Sequence, residues 1–251
     1  MLMSLNHTGG PENAEMAAAL EQRSGGGDGV TGCALCSGWF DRDRAAQGYW
    51  STVNRDVLRE VPRDARRVLD VGCGSGGTGA ALKRRQQVEV HGIELHEEAA
   101  EKARLVLDGV IRGDAEKMTL PFRPAYFDCI IYGDIVEHLV WPGDVVRRHR
   151  TFVAPHGCII VTVPNVQYIG VLLKLVLGQW QYTPFGILDS THLRFFTRRG
   201  IAEMLTAAGY QVVVVRHSHG PRRWLELVDG CTFGCFRSLL SYKYTVVGRP
   251  V

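Results

Sequence analysis

Arg67-Val68-Leu69-Asp70-Val71-Gly72-Cys73-Gly74-Ser75-Gly76-Gly77-Thr78-Gly79 is the stretch from which the fold is read. After Arg67, residues Val68–Val71 form a short apolar run interrupted only by Asp70, which predicts a buried strand. The glycines that follow allow a tight turn and a close approach of backbone to a ligand. A helix starting near Thr78 adds N–H groups that its own turns leave unpaired. Gly72, Gly74 and Gly77 satisfy the spacing of a dinucleotide-binding turn, and Glu94 stands where a ribose-binding acid would. Read alone, this suggests an NAD-dependent oxidoreductase. Asp70 argues the other way. A carboxylate two residues before the first glycine repels a pyrophosphate and suits a cationic, phosphate-free ligand.

Outward from this turn the pattern is regular. Apolar runs recur at Arg67–Val71, Val88–Ile93, Val110–Arg112, Cys129–Tyr132 and Cys158–Val163. Amphipathic segments lie between most of them, at Thr78–Arg85, Glu97–Leu107 and Pro142–Phe152. Strands of nearly continuous apolar text alternating with helices predict a parallel sheet covered on both faces. A helix over Arg198–Ala208 and β-prone runs at Tyr210–Val215 and Tyr242–Val247 complete the pattern, and the last strand can insert antiparallel. The expected fold is α/β, Rossmann-like and doubly wound, with a mostly parallel seven-stranded sheet and an antiparallel final strand. Another helix is expected over Gly48–Val61, stopped by Pro62. Glycine-rich text around residues 1–30 reads as a flexible tail, leaving residues 31–251 as one domain.

Composition narrows the possibilities. The chain has 251 residues and 45% hydrophobic content, enough for one large domain and too ordered in character for a disordered chain. The formal net charge of +3 gives no nucleic-acid footprint. Arg147-Arg148-His149-Arg150 and Arg222-Arg223 are short clusters that read as solvated faces. No apolar run has the ~18–20 residues of a membrane helix, and no secretory leader is recognised. Seven scattered cysteines make no disulfide framework, so a cytoplasmic protein with reduced thiols is expected. Cys33 and Cys36 resemble half a zinc site. The only other close pair, Cys231 and Cys235, lies far along the chain.

Four acids end successive predicted strands: Asp70, Glu94, Asp114 and Asp134. Helix capping alone explains one or two of them, not the set. With the Asp70-Val71-Gly72-Cys73-Gly74-Ser75-Gly76 turn and the run Phe127–Leu139, they resemble class I S-adenosylmethionine-dependent methyltransferases over roughly Tyr49 to Val247. The resemblance implies S-adenosylmethionine as cofactor and a binding wall of Asp70, Gly72, Gly74, Gly76, Glu94, Leu95, Asp114, Ala115 and Asp134. It implies that Glu94 takes the ribose hydroxyls and Asp114 the adenine amino group. The segment Gly178–Thr197 resembles sugar- and small-molecule-modifying members, so O-methylation of a sugar or secondary metabolite is expected. N- or C-methylation, and a non-catalytic cofactor-binding protein, are the alternatives.

The insertion at residues 166–196 is long for a connection and reads as a lid or substrate wall. Its run Tyr168–Leu177 predicts a very apolar helix that packs on the sheet or faces substrate. Methyl transfer to oxygen needs a proton removed, and histidine is the usual base near pH 7. His138, after the fourth strand, and His192, in the insertion, are the candidates. Each also reads as a structural anchor, His192 through Asp189 or Arg194. Tyr49, Asp189 and Arg194 are candidate substrate contacts. Glu137 beside His138 hints at metal ligation, but no third ligand has a recognisable spacing, and no metal is expected. The oligomeric state is not legible.

Overall fold

The computed structural model describes residues 52–219, 229–231 and 234–251. The expected tail at 1–30, the Cys33–Cys36 pair, and Tyr49 lie outside these.

Helix α1 (Arg55–Glu60) opens the described chain, capped by Asn54, whose side chain accepts from the Val57 amide. There follow β1 (Arg67–Val71), α2 (Gly77–Arg85), β2 (Glu89–Glu94), α3 (Glu97–Arg104), β3 (Gly109–Arg112) and β4 (Phe127–Gly133). A 3-10 turn at Val136–His138 leads to α4 (Pro142–His149), a second at Arg150–Phe152 leads to β5 (Val153–Pro164), and α5 (Ile169–Val176) lies in the insertion. Helix α6 (Arg198–Ala207), β6 (Tyr210–Ser218), α7 (Arg237–Leu240) and β7 (Lys243–Pro250) close the order. The seven-stranded sheet runs β3-β2-β1-β4-β5-β7-β6. Strands β1 to β5 pair in parallel, and β7 sits antiparallel between β5 and β6.

The strands lack polar alternation because both faces are buried. Leu69, Val71, Ile130, Tyr132, Ile159 and Val161 share one core cluster with Val145 and Val146 of α4 and Ile201 and Leu205 of α6. Val68, Cys129, Ile131, Cys158 and Ile160 share the other with Val57 of α1, Leu82 of α2 and Ala103 of α3. Each fully buried aliphatic side chain contributes about 1.5–3 kcal/mol. Cys129 and Cys158 are register partners in this core, as their apolar settings predict, and Cys73 is also buried. Helix α3 ends at Arg104, earlier than its sequence pattern, because Leu105–Leu107 turn back on Lys102 and Ala103 carbonyls to start β3.

Strand order reverses between β1 and β4, the place where open α/β sheets bind ligands at the carboxyl ends of their strands. The insertion leaves the carboxyl end of β5 and bonds back to the connection that follows β4. Its Val171, Ile187 and Leu188 form a small core with Tyr168, Phe195 and Tyr242. Only Val171 of α5 is buried; Leu173, Leu175, Val176 and the following Leu177 are exposed, so packing of this helix on the sheet is not what its apolar text encodes. Among the described residues no helix is long and apolar enough to cross a membrane.

Candidate functional site

The glycine turn is shaped by its neighbours. Gly72 has φ +73°, and a Cβ there would meet Ile135 Cδ1 at 2.8 Å. Gly76, at φ +80°, N-caps α2, and a Cβ there would meet Val106 and Leu107. Both positions therefore need glycine for conformation and for close packing. Glu94, 6% exposed, ties the turn to β2: its Oε2 accepts from the Gly74 amide at 2.8 Å and its Oε1 from the His96 amide at 2.9 Å. A carboxylate has about four lone-pair positions, so Glu94 keeps capacity for two hydroxyls. Leu95 beside it is exposed.

Asp70 is buried at the end of β1, paired in register with Gly92 and Ile131. Burial, and secondarily Glu94, pushes its carboxyl up to about 7. Two acids this close at a glycine turn oppose a pyrophosphate and favour a cation. Asp114 Oδ1 accepts from the Glu116 amide at 2.9 Å, and its Oδ2 pairs with Lys117 at 3.1 Å. Ala115 is buried in the core, and its carbonyl accepts from Arg148. The donor set thus fits a cationic nucleoside: carboxylates with spare lone pairs for hydroxyl and amino donors.

Asp134 lies past the end of β4 in the left-handed region, φ +57°. It is held there by three groups the sequence does not flag. Asn54 Nδ2 donates to Oδ2 at 3.1 Å, Thr162 Oγ1 donates to Oδ1 at 2.9 Å, and Lys243 Nζ pairs with Oδ2 at 2.7 Å. Burial works against the charge on Lys243, but the Asp134 carboxylate outweighs it and raises the ammonium pKa. One signal was present in the text: a lysine, Lys243, near the start of the β-prone run Tyr242–Val247.

His138 and His192 come together, with ring centroids 4.8 Å apart in an edge-to-face arrangement. The main chain brings them there. Leu193 and Arg194 amides both donate to the Glu137 carbonyl, at 2.8 and 3.0 Å. Arg194 also donates from Nε and Nη2 to the Val140 carbonyl and lies over the Trp141 ring. His192 is anchored not by Asp189 or Arg194 side chains but by the Ile187 carbonyl, 3.0 Å from Nδ1. Asp189, 2% exposed, accepts at Oδ1 from the Thr191 amide and hydroxyl. Of the candidate substrate residues, Asp189 shapes a turn within the insertion and Arg194 ties the insertion to the β4–α4 connection. Glu137, 1% exposed, lies under the pair. Burial first, then Asp134, raises its carboxyl well above the usual range. A ligand atom from each of Glu137, His138 and His192 lies within 4.8 Å of the others. His192 is the third group that sequence spacing does not reveal, because the insertion fold brings it back.

A doubly wound sheet with a buried acid pair at its glycine turn, and two imidazoles past the end of β4, fits a cationic nucleoside in the crevice at its switch point. Residues 41–215 match the model of the methyltransferase domain family, and the chain belongs to that family, as a class I S-adenosylmethionine-dependent methyltransferase. Ubiquinone biosynthesis O-methyltransferases from Neisseria meningitidis serogroup C and Xylella fastidiosa are 29% and 32% identical to it over 155 residues. Each match covers 59% of this chain, and the chain spans 64% and 63% of those relatives' length. A methyltransferase from Archaeoglobus fulgidus has a similar fold, with TM-score 0.62 at 17% identity over 84% of this chain and 99% of that one. A possible histamine N-methyltransferase from Thermotoga maritima gives TM-score 0.60 at 17% identity over 84% and 98%. The cofactor is S-adenosylmethionine.

Proposed function

We propose that this protein transfers a methyl group to a hydroxyl oxygen of a small molecule, a sugar or a secondary metabolite with an apolar portion. The His138–His192 pair at the carboxyl end of β4 carries this reading. When bound, the cofactor supplies a methyl carbon already activated by a sulfonium. The protein's work is then chiefly positioning. Glu94 and Asp114 hold the ribose and adenine ends; Asp70 balances the cofactor's positive charge; Gly72, Gly74 and Gly76 let the backbone approach. Leu95, Ala115 and Asp134 complete that wall. The acceptor oxygen must still lose its proton, and the imidazoles with Glu137 are the groups that can promote it. The exposed Trp180, Tyr182, Phe185 and Leu193 of the insertion favour an acceptor with an apolar part. The names of the relatives that act as O-methyltransferases support an oxygen acceptor.

The test is calorimetry with S-adenosylmethionine, S-adenosylhomocysteine and NAD in parallel, then a panel of hydroxylated acceptors scored by S-adenosylhomocysteine release. Micromolar binding of the first two without NAD, and turnover with a hydroxyl acceptor, is expected. Turnover that survives loss of both histidines, with an amine as the acceptor, would overturn the oxygen assignment.

A further inference from the structure

We propose that Glu137, His138 and His192 form a divalent-cation site, and that the acceptor hydroxyl is ionised on that cation. This rests on the oxygen-methylation reading and says how the proton is lost.

Three observations point to it. The first is Glu137. Its side chain is 1% exposed, and among the described residues no other residue donates a hydrogen bond to either carboxylate oxygen. Leaving such a group unmatched costs several kcal/mol. A proton alone is a poor remedy, because a buried carboxylic acid still needs an acceptor for its O–H. A cation satisfies both the charge and the lone pairs.

The second is the tautomer of each ring. The Ile187 carbonyl can only accept, so His192 Nδ1 carries the hydrogen. Thr191 Oγ1 donates to Asp189 Oδ1 at 2.8 Å, so it meets His138 Nδ1 at 3.1 Å as an acceptor; the Thr191 carbonyl, at 3.2 Å, accepts as well. In both neutral rings the lone pair therefore sits on Nε2. Ligand imidazoles are held this way, with the other ring nitrogen donating to a carbonyl or to a relay ending in a carboxylate.

The third is spacing. One carboxylate oxygen and one nitrogen from each ring lie within 4.8 Å of one another. Ligand bonds of about 2.0–2.2 Å put donors ~3–3.5 Å apart when adjacent, so the site needs to contract by roughly 1 Å. The neighbourhood is acidic on balance. Asp134 and Asp189 face Glu137, with Lys243 the opposing charge.

Two nitrogens and one oxygen favour Zn2+, Mn2+ or Fe2+ over the all-oxygen ions Mg2+ and Ca2+. Three protein ligands leave a coordination position open for the acceptor oxygen. A cation lowers the pKa of an oxygen bound to it by many units. The acceptor's O–H bond then breaks and its proton passes to solvent. The oxygen forms its bond to the methyl carbon as the carbon–sulfur bond breaks. The electron pair stays on sulfur, and S-adenosylhomocysteine and the methyl ether leave.

The full chain, stripped with chelator, is titrated with Zn2+ and Mn2+ by calorimetry and with Co2+ by visible absorption. A Cys33→Ser/Cys36→Ser background removes a rival thiol site. One equivalent is expected to bind in that background. Glu137→Gln and His192→Ala are expected to weaken it by about 100-fold or more. Glu137→Gln keeps the side-chain volume and the carbonyl that anchors the insertion, so its melting temperature and S-adenosylmethionine affinity are expected to hold. No binding, or equal affinity in both variants, overturns the cation site. Full methylation of a hydroxyl acceptor by the stripped enzyme in excess chelator also overturns it while leaving the oxygen reading intact. Failure to bind S-adenosylmethionine, or methylation of an amine alone, sinks the oxygen reading instead.

Discussion

Glu94 does two jobs with one carboxylate. It pins the glycine turn through Gly74 and His96 and leaves lone pairs for the cofactor. Glu94→Ala removes both. The expected result is a loss of S-adenosylmethionine affinity of about 100-fold, roughly 2.7 kcal/mol and in the range of hydrogen bonds to a charged group. Calorimetry reads it directly, and an unchanged affinity would exclude the ribose role. Gly72 carries a different constraint. Gly72→Ala forces a side chain into a positive-φ position and against Ile135, which leads into the 3-10 turn bearing Glu137 and His138. A stability loss of about 1–3 kcal/mol is expected in denaturant melts. A neutral result would mean that Ile135 yields freely.

The insertion is the element on which the acceptor side depends. It is fastened to the β4–α4 connection by backbone bonds to the Glu137 carbonyl and by the Arg194 side chain. Arg194→Ala deletes the side-chain tie and keeps the backbone one. Limited proteolysis is expected to cut the insertion several times faster, with cofactor affinity retained, because Asp70, Glu94 and Asp114 lie on β1, β2 and the turn after β3, and Asp134 is held by Asn54, Thr162 and Lys243 rather than by Arg194. Equal cleavage rates would show the backbone bonds suffice. At the other end, Thr197 caps α6 by accepting from the Gly200 amide at 3.0 Å. Thr197→Ala is expected to cost about 1 kcal/mol in thermal or chemical melts.

At the scale of the whole molecule, the pH dependence of stability has a specific contributor. His149 of α4 is 2% exposed and meets the Tyr132 hydroxyl at 3.0 Å. Burial, aided by Arg148, pushes its imidazole down to about 4. Between pH 4 and 6.5 the unfolded chain holds more protons than the native one at this site. Stability is therefore full above about pH 6.5 and falls as the pH drops toward 4, by roughly 3 kcal/mol. Urea midpoints at pH 7 and 5 test this against His149→Gln, which accepts from Tyr132 but does not titrate. The variant should lose less stability on acidification than the parent, and parallel losses would exclude His149 as the sensor.

The sequence by itself determined the sheet. Apolar strands, helices between them and the Asp70–Gly79 turn are local patterns, and both faces of a parallel sheet must be covered whatever the details. The positions of Asp70, Glu94, Asp114 and Asp134 at strand ends followed from the same periodicity. The exposed face of α5 was not legible, because an apolar helix reads the same whether it is buried or left open. Nor was the network of Asn54, Thr162 and Lys243 around Asp134, whose members come from a helix cap and two distant strands. Only the tertiary structure joined His192 to Glu137 and His138. That contact is made when the insertion folds back and donates two amides to the Glu137 carbonyl, a long-range closure for which spacing along the chain holds no signal.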